Sequence, residues 1–188
     1  MNPIFEQGNG NGIGHNFTTF VKRFIEICEN HLNNERADSF AFILYDFHNE
    51  TLRKILKTEG FTKLDRLSRN KLSIFYLDSK SRSTVEKFNK VILGAFDIEP
   101  ANNLPFILFF NVFDNDVIDI KIVELETTDS IYLFDELYNS VKEYISKKSM
   151  VTKSKNNFAK FFDYTKKLAL NKFIDILVDK GIENENIF

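Results

Sequence analysis

Asp119-Ile120-Lys121, with Asp97, Asp114 and Asp116 upstream, comes nearest to catalytic machinery in this chain. Grouped carboxylates can hold Mg²⁺, and a lysine beside them can help activate water for hydrolysis. Residues two apart on a strand share a face, so Asp119 and Lys121 would sit together. The same residues, with Val123, also alternate with Ile118, Ile120 and Ile122, as in any half-exposed hairpin arm. That structural reading takes precedence. Asp114, Asp116 and Asp119 stay as a secondary candidate for a metal-dependent hydrolase, and no metal or other cofactor is expected.

Other chemistry is sparse. His15, His31 and His48 fall in a polar leader, at a helix end and after a strand, without metal-ligand spacing. No GxSxG or HExxH sequence occurs. Cys28 is the single cysteine, which rules out an internal disulfide and an all-cysteine metal site. It falls on an apolar helical stripe and reads as a small buried hydrophobe. The run Gly8-Asn9-Gly10-Asn11-Gly12-Ile13-Gly14 could form an anion-binding nest before a helix. A phosphate loop needs a strand in front and a Lys-Ser/Thr pair behind, and only Ile4-Phe5 is available. Residues 1–15 are therefore expected to be a flexible leader.

The chain has 188 residues, 43% hydrophobic and 28% charged, which suits one soluble domain with a substantial core. No apolar run approaches the roughly 20 residues of a membrane span, and the first residues lack the features of a secretory signal. A cytoplasmic location is the expectation. Net charge is −2, yet the charges are sorted along the chain. Residues 48–92 hold eleven Lys/Arg against five Asp/Glu, residues 93–145 two against eleven, and residues 146–180 nine against three. Such blocks give a folded molecule sides of opposite sign. Phe61, Phe75, Tyr76 and Phe88 lie within the first basic block, but they fall mostly on core stripes. Nucleic acid is therefore not the expected partner.

Phe17, Phe20, Val21, Phe24, Ile27, Cys28 and Leu32 recur at helical spacing, with Asn16 a candidate N-cap. Phe40–Phe47 is a nearly continuous apolar run, the mark of a strand buried on both faces, and its Asp46 is read as the exposed end. A helix from Glu50, broken near Gly60, leads to a strand over Lys71–Asp78 and a helix over Ser83–Phe96. Leu104-Pro105 then opens a hairpin, Phe106–Phe110 and Val117–Glu126 around Asp114-Asn115-Asp116, followed by a helix over Leu133–Ile145. Strands separated by helices pair in parallel, whereas a hairpin is antiparallel, so the sheet is mixed.

This order, with Tyr45-Asp46-Phe47 closing the first core strand, Leu104-Pro105 opening the next and PFILFF continuing it, resembles the thioredoxin-like superfamily over about Asn16–Lys148. The resemblance implies a three-layer α/β fold, a mixed central sheet flanked by helices, with a cis Leu104–Pro105 bond. It also places the family's redox cysteines near Leu52 and Ile55, where this chain has neither cysteine nor serine. Thiol–disulfide exchange needs an attacking thiolate and a second sulfur, so that chemistry is excluded. Asp46 matches the family's buried acid. Thr51 could anchor a ligand carboxylate, as in the glutathione-binding branch, or simply begin a helix. What remains is a redox-inactive binding module whose cleft candidates are Asp46, His48, Thr51, Leu52, Leu104 and Pro105. Beside that cleft the backbone could pair with an extended peptide. A small-ligand enzyme at the same cleft is the alternative.

The remainder, 149–188, reads as a basic linker, Lys147–Lys155, and an amphipathic helix over Asn157–Lys180. Its stripe includes Phe158, Phe161, Phe162, Leu168, Phe173 and Leu177. It is expected to cover its own domain, or else to meet a second copy or another protein as a subunit contact. Ile182–Phe188 is expected to be mobile.

Overall fold

The computed structural model describes residues 2–5, 24–27, 29, 39–69, 71–99, 104–113, 116–126, 129–149, 161–164 and 168–185. Its centre is a mixed sheet. Strand β1 (Asn2–Phe5) lies at one edge, beside β3 (Ser73–Asp78). Next come β2 (Ser39–Leu44), β4 (Phe106–Phe113), β5 (Asp116–Glu124) and β6 (Phe161–Tyr164), while β7 (Leu168–Ala169) also pairs with β5. The contacts β1–β3 and β3–β2 are parallel; β2–β4, β4–β5, β5–β6 and β5–β7 are antiparallel.

Every residue of β2 is buried, as its unbroken apolar run requires of a strand covered on both faces. One face carries a cluster of phenylalanines. Phe24, in a helical stretch at residues 24–27 (α1), has ring centroids between 5.2 and 6.4 Å from those of Phe40, Phe42, Phe75, Phe110 and Phe173. Helices α4 (Arg82–Ala95) and α6 (Leu170–Glu185) pack together on this side, where Phe96 lies 4.7 Å from Phe173. The other face is covered by α2 (Glu50–Lys57), α3 (Glu59–Ser68) and α5 (Ser130–Ser149). There Phe109 stacks on Tyr144 at 4.2 Å, and Phe61 meets Tyr76 edge-on. Each such ring pair adds about 0.5–1.5 kcal/mol beyond its buried area.

Several expectations need correcting. Asn2–Phe5 is not leader but an edge strand; residues 6–23, with the glycine run and His15, lie outside the described residues. The α2–α3 break falls at Thr58, and Gly60 stands inside α3's first turn. A Cβ on Gly60 would come within 2.5 Å of the Ile55 carbonyl oxygen, so glycine is needed for close approach rather than for the break.

Among the described residues, the helix expected over Asn157–Lys180 begins only at Leu170. Phe161 and Phe162 belong to β6, Phe162 opposite Ile122, and Leu168 belongs to β7. Only Phe173 and Leu177 lie on the helix, both fully buried in the chain's own core and closed to any partner. Phe158 lies outside the described residues, as does Cys28. The physical reason is β5: without β6 its outer backbone groups would form an open sheet edge. At the far end, α6 runs on to Glu185, through part of the segment expected to be mobile.

The β5 arm is not a simple alternation either. Phe109 faces Lys121 but Asn111 faces Ile118, so β5 carries one extra residue, and Asp119 has a φ of 52°. The bulge shifts the inward parity from Val117 to Ile120 and Ile122, all three buried.

Candidate binding cleft

Strand register decides which residues can meet. Leu44 is opposite Phe106, and Phe106 is opposite Glu124. The residues just beyond, Tyr45 on one strand and Pro105 on the other, therefore lie at one end of the sheet. The C-terminal end of β3 is there too, because β3 runs parallel to β2. Asp46, His48, Leu104 and Pro105 gather at this end, along with the N-termini of α2 and α4. Asp116 and Asp119 lie on the hairpin side, with Asp116 opposite Phe113.

The turn into α2 is built by Asp46 and Asn49. An Asp46 carboxylate oxygen accepts from the His48 N–H at 2.7 Å, and the Asp46 carbonyl accepts from the Asn49 N–H at 2.9 Å. The Asn49 side chain then caps α2, accepting from the Leu52 N–H at 2.9 Å. Asp46 and His48 are exposed, while Thr51 and Leu104 are half-buried. Asp46 is therefore a turn residue at the strand's exposed end and not a buried acid. Leu52 is fully buried, so it is core rather than cleft wall, and Pro105 is buried too. The Leu104–Pro105 bond is cis, and the Pro105 carbonyl accepts from the Leu125 N–H at 2.9 Å.

Arg53 is the residue that sequence reasoning missed. One turn into α2, its guanidinium lies 4.6 Å from the Phe47 ring centroid and donates to the Ser79 carbonyl at 2.8 Å. A longer contact of 3.5 Å reaches the Phe47 carbonyl. Its buried Nε meets no acceptor among the described residues. Arg53 thus ties the α2 turn to the end of β3. The available signal was its spacing, four residues after the cap and one after buried Leu52.

Two phenols stand behind the cleft. Tyr45 donates to the Leu77 carbonyl, and Tyr76 donates to the Leu56 carbonyl at 3.2 Å. Burial pushes both hydroxyls well above the usual phenol range. Nearby Asp78 adds to the rise at both, and Arg53 opposes it at Tyr45. Neither can ionise at neutral pH, so both are structural. The Tyr45 carbonyl accepts from the buried Asn89 amide at 3.0 Å, which anchors this strand end to α4. At the mouth, exposed Arg82 is held above its usual value by its 2.6 Å bond to Glu86, with Asp46 contributing less.

The described part of the acidic hairpin does not assemble into a metal site. Among the described residues, no three His, Cys, Asp or Glu side chains converge. Asp119 accepts from the Asn111 amide at 2.9 Å, which holds the bulge closed. Asp114 lies outside the described residues. The aromatics of the basic block are core: Phe75, Tyr76 and Phe88 are buried, and Phe61 packs against Tyr76. None of the described helices is long and apolar enough to cross a membrane. No protein-family model, curated protein or solved structure matches the chain.

Proposed function

We propose that the chain is a thioredoxin-like module that has lost thiol chemistry and binds an extended segment of a partner protein at the proline end of its sheet. The observation that carries this reading is the strand order β1-β3-β2-β4-β5, parallel through β2 and antiparallel beyond, with a proline immediately before β4. A binding role rather than a redox one follows from the residues at the start of α2. Leu52 and Ile55 occupy the positions where sulfur would be required, and the chain has a single cysteine.

The cleft suits a peptide better than a small substrate. Its accessible groups are dispersed along a turn (Asp46, His48, Thr51) and beside Leu104. Leu104 lies beyond the first rung of the β2–β4 ladder, which begins at Phe106, so its peptide groups belong to no rung. A partner strand could add there, with main-chain hydrogen bonds giving affinity and the half-buried Leu104 side chain giving an apolar contact. Capture of native-host proteins on the immobilised chain tests this. Leu104→Asp should abolish capture of a specific partner while the chain still unfolds in one cooperative transition, at a lowered midpoint because Leu104 packs against the core. A partner retained in full by Leu104→Asp would overturn the reading.

A further inference from the structure

A second site shares no residue with the cleft. Between α3 and α5 is a groove of about 690 Å³, open to solvent. That volume is within the usual range of small-molecule sites. Lys63 and Arg66 line it from α3, and Arg69 and Lys71 from the turn that follows; among the described lining residues Asp135 is the one acid. Phe134 and Tyr138 of α5 supply half-buried aromatic surface, and the Lys63 ammonium lies 5.5 Å from the Phe134 ring centroid. We propose that this groove binds small polyphosphate anions, either nucleoside polyphosphates or inorganic chains.

Three features carry the proposal. Arg66 and Arg69 alone could be explained as complements to the negative end of the α3 dipole. Lys63 lies a turn earlier and Lys71 beyond the cap, so the dipole does not account for all four cations converging on one cavity. Secondly, Arg69 sits at the helix cap with φ of 36°, a backbone position that favours glycine. An arginine held there against its backbone preference is explained by its side chain. Thirdly, guanidinium forks beside ammonium groups match several phosphate oxygens at once, and such charge-assisted bonds are the strong ones. The aromatic floor adds a surface on which a base could stack.

The backbone at Arg69 supplies its own control. Arg69→Gly removes the cation and relieves the left-handed strain, so stability should hold or rise while affinity falls. The test is calorimetric titration of the full chain with tripolyphosphate and with ATP, at about 0.15 M salt, where the Debye length is about 8 Å. Arg66→Glu and Arg69→Gly should each weaken binding about tenfold or more, the loss of one charge-assisted hydrogen bond. Lys90→Glu, which changes an exposed cation on α4 outside the groove, should bind as the wild type does. If Phe134→Leu weakens ATP but not tripolyphosphate, the ligand is a nucleoside polyphosphate. Unchanged affinity for both anions in that variant marks the inorganic class. Absence of binding to either anion at millimolar concentration would overturn the proposal. So would equal losses in Lys90→Glu, which indicate diffuse attraction, or binding only of a single-stranded oligonucleotide.

Discussion

Gly60 shows how one hydrogen atom can decide a junction. Thr58 ends one helix and the next begins immediately, its first turn pressed against Ile55 of the one before. A methyl on Gly60 would meet a backbone oxygen at 2.5 Å and the Ile55 Cγ2 at 2.6 Å, and the oxygen cannot swing aside as a side chain would. Gly60→Ala should therefore destabilise the protein by about 1–3 kcal/mol, read from the urea midpoint. The buried phenols give a pH prediction. Tyr45 and Tyr76 have raised values in the folded state, while in the unfolded chain they return to the usual 10.0. Their contribution to stability is thus fully present below pH 10 and is lost as pH rises above it, because the unfolded chain releases protons that the native one keeps. In an alkaline titration of the six tyrosines, at least two, Tyr45 and Tyr76, should give no phenolate absorbance until the protein unfolds. A smooth titration of all six with the fold intact would contradict this.

At the scale of elements, legibility followed how local each signal was. Strands β2, β3 and β4 and helices α4 and α5 were readable within a few residues at each end, because their apolar periods are internal to the segment. The turn at Asp46 was legible for the same reason, as a charge closing an apolar run. β1 and β6 were not. Each is four residues long, and each is a strand only because a distant one, β3 or β5, offers it an edge. The spacing of Phe158, Phe161, Phe162 and Leu168 fits a helix, but side-chain period alone cannot report an edge waiting elsewhere. The bulge at Asp119 was hidden likewise, since the sequence alternates smoothly through it. Arg53 escaped because a lone arginine on a helix carries no motif. Of the helix candidates in the tail, Phe173 gives the clearest test. Fully buried between Phe24, Phe96 and Phe110, it should cost about 3–5 kcal/mol when changed to alanine, measured by denaturant unfolding.

Across the whole molecule, the segment first read as a basic linker and helix completes the architecture. Residues 161–185 supply two strands, β6 and β7, to the sheet and a helix to one covering layer. A chain cut after Lys160 should therefore lose cooperative unfolding and self-associate, because it exposes both the β5 edge and the phenylalanine cluster around Phe24. Sedimentation and a thermal melt would check this; a monomer with a sharp transition would show the core to be self-sufficient.

That arrangement also sets the timing of assembly. β5 ends at Glu124 and β6 at Tyr164, so the nascent polypeptide carries an uncapped sheet edge while about forty further residues are made, roughly a few seconds of elongation. During that interval the protein is a client for whatever shields sticky strands in its cell. Slowing translation near Lys160 would lengthen the hazard without altering a single amino acid.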